Sequence, residues 1–177
     1  MKLWSFQPNA VIEKLLAGEE HICEPALSWY YNDEDMGFKN AYDWLCVEMA
    51  KSVPKPAAVK LPIWAWATHH GGQAKPDRRT LLFNRYPKDE SILELEVPAD
   101  EVLLSDWDDW HSILNNWEIR TPEEWEEDED REYTEAEKLA TWPRVFDVGT
   151  KDYVQACFWK LKPAYVVKVH RVRKKAS

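Results

Sequence analysis

The side chains with the clearest chemical potential lie in residues 152–173, DYVQACFWKLKPAYVVKVHRVR. At the two-residue period of a β-strand, one face of the first half of this stretch is uniformly apolar: Val154, Ala156 and Phe158. The opposite face carries Gln155 among Tyr153, Cys157 and Trp159. An aromatic face with one amide is unusual for a solvated surface. The pattern therefore predicts the floor of a groove in which Gln155 hydrogen-bonds a ligand.

Tryptophan gives the second chemical signal, since the chain contains 11 of them. Trp64 and Trp66 share one face of a predicted strand over 61–68, LPIWAWAT, and Trp4 lies in a predicted strand over 2–7. Such side chains either fill an aromatic core or line a site for a planar ring. Trp64 or Trp66 is therefore a candidate to stack on a ligand ring, and Trp4 is a candidate to line the same groove.

A basic pair, Arg78 and Arg79, follows the loop HHGGQAK at 69–75. Because a guanidinium offers paired donors to a phosphate, Arg79 is a candidate for binding a pyrophosphate, with an ordinary surface charge as the alternative. His69 and His70 are adjacent, and no cysteine or carboxylate stands at ligand spacing from them. We therefore expect no metal site.

The remaining titratable residues have ordinary explanations. Glu94 and Glu96 alternate with apolar residues in SILELEV at 91–97, which explains them as the solvated face of a strand. Asp106, Asp109 and His111 lie on a tryptophan-rich predicted helix and leave a hydrolase open as a minor alternative.

Composition limits the class of protein. A chain of 177 residues with 45% hydrophobic residues can bury the core of one domain. The net charge of -9 argues against non-specific binding of nucleic acid, although the strongly acidic segment 121–137 contrasts with a basic stretch at 160–175 that could border a phosphate. No signal-peptide pattern, no apolar run of membrane length and no C-x-x-C motif occur, which predicts a cytoplasmic protein.

The predicted elements run strand, helix, helix, three strands, helix, acidic segment and two strands. Pro8 opens the first helix, the second spans about 38–52, and Ser105 caps a third over 106–115. Strands are predicted at 80–84 and 91–97 as well as at both ends of the chain. Strands that do not alternate regularly with helices favour an α+β fold. We predict a single domain over 1–177, with a mixed, mostly antiparallel sheet flanked by helices.

Several sequence blocks carry a resemblance that covers nearly the whole chain: LWSFQP, AYDWL, PIWAWA, KPDRR, LELEVP, LLSDWDDWHSILNN and VQACFWKLKPAYVVKV. Together they resemble an uncharacterised bacterial family that is known only as a domain of unknown function. The block LLSDWDDWHSILNN is the most specific part of that likeness. This resemblance implies no activity.

A second resemblance concerns small ADP-ribosyltransferases, including the nucleic-acid-modifying DarT type. It rests on the order strand, helix, sheet and on the late pattern x-Q-A-x-φ-x-x-x-x-P-x-x-φ-x-x-V at 154–169. In those enzymes an Arg or His on the first strand helps to seat NAD, and a Glu on a late strand steadies the ribose as its bond to nicotinamide breaks. The resemblance places Gln155 at the position of that Glu, and Trp4 or Ser5 at the position of the Arg or His.

Both positions depart from the pattern of that family. Glutamine can hydrogen-bond a ribose hydroxyl, but it supplies no negative charge to an oxocarbenium-like transition state, and such a loss commonly costs ~3 kcal/mol. Tyr153 stands two residues before Gln155, so the paired carboxylates of arginine-modifying members are missing and a protein-arginine target is not expected.

The resemblance implies an ADP-ribosyltransferase-like domain that binds NAD or a related nucleotide in a groove between two halves of the sheet. Gln155 would contact the ribose, while Trp4 and Tyr153 would line the groove. If active, the domain would transfer ADP-ribose to a nucleic acid or a protein, as a toxin or defence effector. The alternative is a non-catalytic module that binds a nucleotide or a protein in an aromatic groove.

Overall fold

A six-stranded sheet organises the domain. The computed structural model describes residues 1–77 and 89–171. Its strands are β1 (Lys2–Pro8), β2 (Ile63–Thr68), β3 (Glu90–Glu96), β4 (Leu103–Asp106), β5 (Val154–Phe158) and β6 (Val166–His170). Their spatial order is β4-β5-β2-β1-β3-β6, and neighbouring strands are antiparallel throughout. The predicted α+β class is confirmed, whereas the sheet described here is antiparallel and not mixed.

The helices lie between the strands in the chain and are short, with one exception. They are α1 (Asn9–Leu16), α2 (Trp29–Asn32), α3 (Lys39–Ser52), α4 (Trp107–Leu114), α5 (Pro122–Glu127) and α6 (Glu135–Thr141). Pro8 stands at the N-cap of α1, and a 3-10 helix, Trp142–Phe146, follows α6 directly. Within the described residues, no helix combines the length and the apolar character needed to cross a membrane.

One face of the sheet packs against α1. Ile12 and Leu15 of that helix pack with Leu3, Leu93 and other buried side chains of the strands. The predicted apolar face of β5 lies in this core: Val154, Ala156 and Phe158. This face therefore supplies a continuous core that holds β1, β2, β3 and β5 together.

The opposite face is covered at one end by a second core. Helix α3 contributes Leu45 and Met49, and α4 contributes Trp110. Cys157 and Trp159 are sealed within this cluster at 1% and 4% exposure, so the predicted groove floor does not extend to them. The opening in the sheet lies instead around β1 and β2.

Strands β1 and β2 meet at one point and then separate. They are in register at Trp4 and Trp66, whereas β1 pairs with β3 along its whole length. Beyond Trp4, the Ser5 hydroxyl donates to the Trp64 carbonyl oxygen at 2.8 Å, and the Gln7 side-chain amide donates to Ser5 Oγ at 2.8 Å. Side-chain hydrogen bonds thus connect the two strands where they diverge.

Two local predictions are corrected by the structure. The third helix was predicted over 106–115, but Asp106 ends strand β4, Leu103–Asp106, and α4 begins at Trp107. The cap of α4 is the Asp106 carboxylate, which accepts from the Asp109 amide at 2.9 Å. Ser105 was expected to be that cap, but it is a strand residue that pairs with Gln155. The predicted strand at 80–84 lies outside the described residues.

The acidic segment is organised around one arginine. Arg120 donates to the carbonyl oxygens of Asp128 and Glu129 at 3.0 and 3.2 Å. Its guanidinium lies 4.3 Å from the ring centroid of Trp125 and 4.7 Å from that of Tyr133. Contacts of this kind hold a cation between two aromatic faces, so residues 121–137 wrap around a central basic group.

Candidate nucleotide-binding cavity

A cavity of about 230 Å³ lies where β1 and β2 diverge. Its walls come from both strands, from β5 and from the loop after α1: Trp4, Phe6, Gln7, His21, Cys23, Pro62, Ile63, Trp64, Ala65, Trp66 and Gln155. Pockets for drug-sized ligands usually measure about 300–1,000 Å³. The cavity is therefore sized for one ring system with a small attached group, and a dinucleotide would extend beyond it.

Gln155 reaches the cavity from β5, where it stands between Trp66 of β2 and Ser105 of β4. Its Oε1 is buried and has no hydrogen-bond partner among the described residues, and the same holds for Ser105 Oγ. A buried polar atom without a partner costs about 1–3 kcal/mol. A ligand that donates a hydrogen bond to this amide would recover that cost.

Trp4 and Trp66 form the deepest aromatic wall, each with 4% exposure. The Trp4 indole Nε1 donates to the Gln73 carbonyl oxygen at 3.0 Å, which anchors the loop after β2 over this wall. The Trp66 ring lies 5.3 Å from that of His69 and 6.4 Å from that of Trp107. These contacts hold both indole rings in place.

Trp64 lies partly in the cavity wall and partly in the second core. Its ring is 5.2 Å from that of Trp110 and 6.2 Å from that of Tyr42. Its Nε1 is buried without a hydrogen-bond partner in the described part of the chain. Core packing accounts for the ring, while the unpaired indole N–H, like the Gln155 oxygen, is an unused hydrogen-bonding group beside the cavity.

His21 and Cys23 line the cavity, and the sequence reasoning missed both. Antiparallel bridges to Leu161 and Leu61 fix their backbone, so that two side chains at i and i+2 point the same way. Burial, reinforced by the nearby Lys14 charge, lowers the pKa of His21 below its usual 6.5, with Glu24 opposing. Burial, then Glu24, raises the pKa of the Cys23 thiol. The sequence HIC carries no periodic signal of its own, so only the bridges reveal this arrangement.

Among the described residues that line the cavity, none is an Asp, Glu, Lys or Arg. Its polar groups include the two glutamine amides, the Trp64 indole N–H, the Cys23 thiol and the imidazole of His21. Burial lowers the pKa of His21 and keeps the imidazole neutral near pH 7. A cavity with aromatic walls and neutral hydrogen-bonding groups suits an uncharged or weakly charged heterocycle more than a phosphate. Its described wall also contains no carboxylate of the kind that a glycosyl-transfer transition state would use.

Tyr153 does not line the cavity, although it was predicted to do so. It lies on the far side of Trp66, at 6.5 Å between ring centroids, and its hydroxyl is 2.6 Å from His70 Nδ1. His70 and Gly71 both have positive φ, 53° and 66°, at the centre of a turn closed by hydrogen bonds between His69 and Gly72. Tyr153 and His70 therefore lie beside the cavity wall and not in it.

The other predicted ligand groups fall elsewhere. Arg79 lies outside the described residues, so its predicted contact with a pyrophosphate stays a prediction. Glu94 binds Lys2 at 2.8 Å and His170 at 3.3 Å on the sheet surface. Across 1–77 and 89–171, no cluster of three or more His, Cys, Asp or Glu side chains is arranged to hold a metal ion.

The fold and the cavity define an α+β domain whose antiparallel sheet opens between two central strands to form an aromatic site, with no charged side chain among its described wall residues. The chain belongs to the family described as domain of unknown function (DUF3841), whose family model matches residues 2–140. This confirms the resemblance to an uncharacterised family. No curated protein and no solved structure matches the chain.

Proposed function

We propose that this domain binds NAD or a related nucleotide, with one ring of the ligand in the cavity between β1 and β2. The observation that carries the proposal is the placement of Gln155. Its side chain lines the cavity from β5, the strand next to β2, and its buried amide oxygen has no hydrogen-bond partner among the described residues. An ADP-ribosyltransferase-like domain uses a late strand in this way to hold the ribose of NAD.

The walls of the cavity support a planar ligand. Trp4 and Trp66 present fixed aromatic surface, and aromatic pairs contribute about 0.5–1.5 kcal/mol beyond their buried area. The volume of about 230 Å³ admits a ring with an adjoining sugar, while phosphates would remain outside, in keeping with the uncharged lining. A nucleotide satisfies both requirements at once.

Transfer of ADP-ribose to a nucleic acid or a protein is the finer form of this proposal. In that reaction the bond from ribose C1′ to nicotinamide breaks, and the electron pair leaves with nicotinamide. The positive charge that develops on the ribose needs a nearby anion, and Gln155 supplies only a dipole. Any transferase activity is therefore expected to be slow, on the order of a hundredfold below that of a carboxylate-bearing enzyme.

A binding module without catalysis is the second candidate function. It is favoured because the part of the cavity wall that the structure describes contains no Asp or Glu. Both candidates predict nucleotide binding, and they differ in whether labelled ADP-ribose appears on RNA, DNA or protein. Binding without transfer would support the module.

Thermal unfolding with and without NAD tests the proposal. At 100 times its dissociation constant a ligand adds ~2.7 kcal/mol of stability, which corresponds to about 5–10 °C in Tm for a chain of this size. We expect Gln155→Leu to reduce the shift and the same change at exposed Gln73, outside the cavity, to leave it intact. If NAD, ADP-ribose and AMP all leave Tm unchanged, the proposed function is wrong.

A further inference from the structure

His21 is the one histidine among the described residues that line the cavity. Its backbone is held by a two-way bridge to Leu161, with hydrogen bonds of 2.8 Å and 2.9 Å. Within the described residues, no side chain hydrogen-bonds to its ring. The backbone position of His21 is thus fixed, and its imidazole, which has no hydrogen-bonding side chain beside it among the described residues, is available to a ligand in the same cavity.

The charges around His21 have opposite signs. Lys14 of α1 disfavours the imidazolium form, while Glu24, in the same loop as His21, favours it. The flanking Glu20 and Lys160 pair with each other at 2.9 Å, and Cys23 is a neutral thiol at neutral pH because its pKa is raised. From the strands, Gln7 and Gln155 face the cavity without charge. Burial adds to the effect of Lys14 and leaves His21 neutral near pH 7.

We propose that His21 hydrogen-bonds the bound ring and makes ligand binding depend on pH. The neutral imidazole accepts a hydrogen bond from an N–H or O–H of the ligand, and protonation of His21 releases the ligand. A protonated imidazole has two donors and no acceptor, so the hydrogen bond is lost. The cation would also lie in a partly buried space beside two neutral amides, and the described wall residues include no carboxylate to balance it. This inference rests on the proposed nucleotide binding and adds a residue and a pH response to it.

The test measures the dissociation constant of NAD by titration calorimetry between about pH 7.5 and about pH 5, a range in which a histidine changes charge. We expect the affinity of the wild-type chain to fall by about tenfold or more, as the loss of one good hydrogen bond and an added buried charge require. His21→Gln keeps an acceptor without a titrating proton and is expected to bind with little pH dependence. His21→Phe keeps the ring shape and is expected to bind weakly at both pH values.

Two surface substitutions test the direction in which the midpoint pH of ligand release moves. Lys14→Met removes a positive charge that disfavours protonation, so the midpoint of ligand release should move to higher pH. Glu24→Gln removes the charge that favours protonation, so the midpoint should move to lower pH. Both side chains are exposed and neither lines the cavity. His111→Gln on α4, also outside the cavity, should keep the wild-type profile.

The outcomes separate this inference from the proposed function. NAD binding that is independent of pH, or a pH response that survives in His21→Gln, would overturn the role of His21 while nucleotide binding stands. If NAD, ADP-ribose and AMP all fail to bind the wild-type chain at about pH 7.5, where His21 is neutral, the proposed function fails and this inference falls with it. A midpoint of ligand release that moves to higher pH in Lys14→Met and to lower pH in Glu24→Gln would support the role of His21.

Discussion

Gln155 owes its position to strand alternation. Val154 and Ala156 point into the core on α1, so Gln155 must point to the other face, where β2 presents Trp66 beside it. The sequence alone predicted this placement, because the alternation of apolar residues is strict over this strand. It could not show that the amide oxygen is left without a partner, since that depends on the side chains of β2 and β4.

Gln155→Glu is the sharpest change at this position. If the strand corresponds to the ribose-binding strand of an ADP-ribosyltransferase, the new carboxylate supplies the missing charge, and NAD turnover should rise, by up to about a hundredfold. Release of nicotinamide from NAD measures the effect, with Gln155→Leu as the control that has no polar group. Equal turnover in wild type, Gln155→Glu and Gln155→Leu would show that this side chain does not face the ribose.

The turn at the end of β2 depends on a glycine. Gly71 has a φ of 66°, and a Cβ there would lie 2.9 Å from Asp152 Oδ1. We expect Gly71→Ala to lower the free energy of unfolding by about 1–2 kcal/mol, chiefly through the backbone conformation, because the Asp152 side chain can move. Gly72→Ala is the matched control, since its nearest neighbours are 3.8 and 3.9 Å away. Urea denaturation that gives the same value for both variants would contradict this account.

At the level of elements, the acidic segment was recognised in the sequence by its charge, but its internal order was not. Thr121 and Thr134 each form a capping box, with Glu124 and Glu137 respectively. The Arg120 side chain is almost buried, with 5% exposure, between Trp125 and Tyr133. The charge pattern alone predicts a solvated segment. It does not reveal that Arg120 donates hydrogen bonds to carbonyl oxygens eight to eleven positions further along the chain.

Glu124 fastens this segment to the rest of the domain through a two-pronged ion pair with Arg144, one prong at 2.8 Å. Hydrogen bonding to Arg144 lowers the pKa of Glu124 from 4.5 to about 2. A carboxylate whose pKa is lower in the folded state adds stability above its unfolded pKa and loses it as pH falls toward the folded value. Glu124→Gln should therefore be less stable than wild type at neutral pH, and the difference should shrink between pH 4.5 and about 2.

Glu126→Gln is the control for that prediction. Glu126 lies on the same helix, and the structure describes no ion-pair partner for it. Guanidinium or urea denaturation across pH should show no comparable change. A Glu124→Gln difference that persists unchanged at pH 2 would mean that the stabilisation does not come from the ionised carboxylate.

Strand β4 shows most clearly where sequence reasoning failed. Its four residues, Leu103–Asp106, run directly into α4, and an apolar pair followed by Ser-Asp is typical of a helix start. The strand exists because β5 offers it a partner edge, and that partner lies about fifty residues further along the chain. Long, regularly patterned elements such as α3 and β3 were predicted within a residue or two, because their own periodicity determines them.

For the whole molecule, the family match ends before the last two strands of the sheet, β5 and β6. The match stops at residue 140, whereas β5 lies between β4 and β2 in the middle of the sheet. Removal of β5 would expose Ile63 and Ala65 of β2, which pair with Phe158 and Ala156 of β5. It would also leave β4 without a neighbouring strand. The cavity would also lose Gln155.

A chain that ends at residue 140 should therefore fail to fold cooperatively. We expect it to lack a sigmoidal thermal transition and the near-ultraviolet dichroism of packed tryptophans, while the full chain shows both. A fragment of residues 1–140 with a cooperative transition would show that the sheet does not need its later strands.

Cys23 reports directly on whether a nucleotide occupies the cavity, as we propose. Cys23 lines the cavity and is partly exposed, whereas Cys46 and Cys157 are buried at 6% and 1% exposure. Maleimide labelling followed by intact mass should modify one thiol, should modify none in Cys23→Ser, and should slow about tenfold or more at saturating NAD or a related nucleotide. Labelling of Cys23 at the same rate with NAD, ADP-ribose or AMP present would contradict the account.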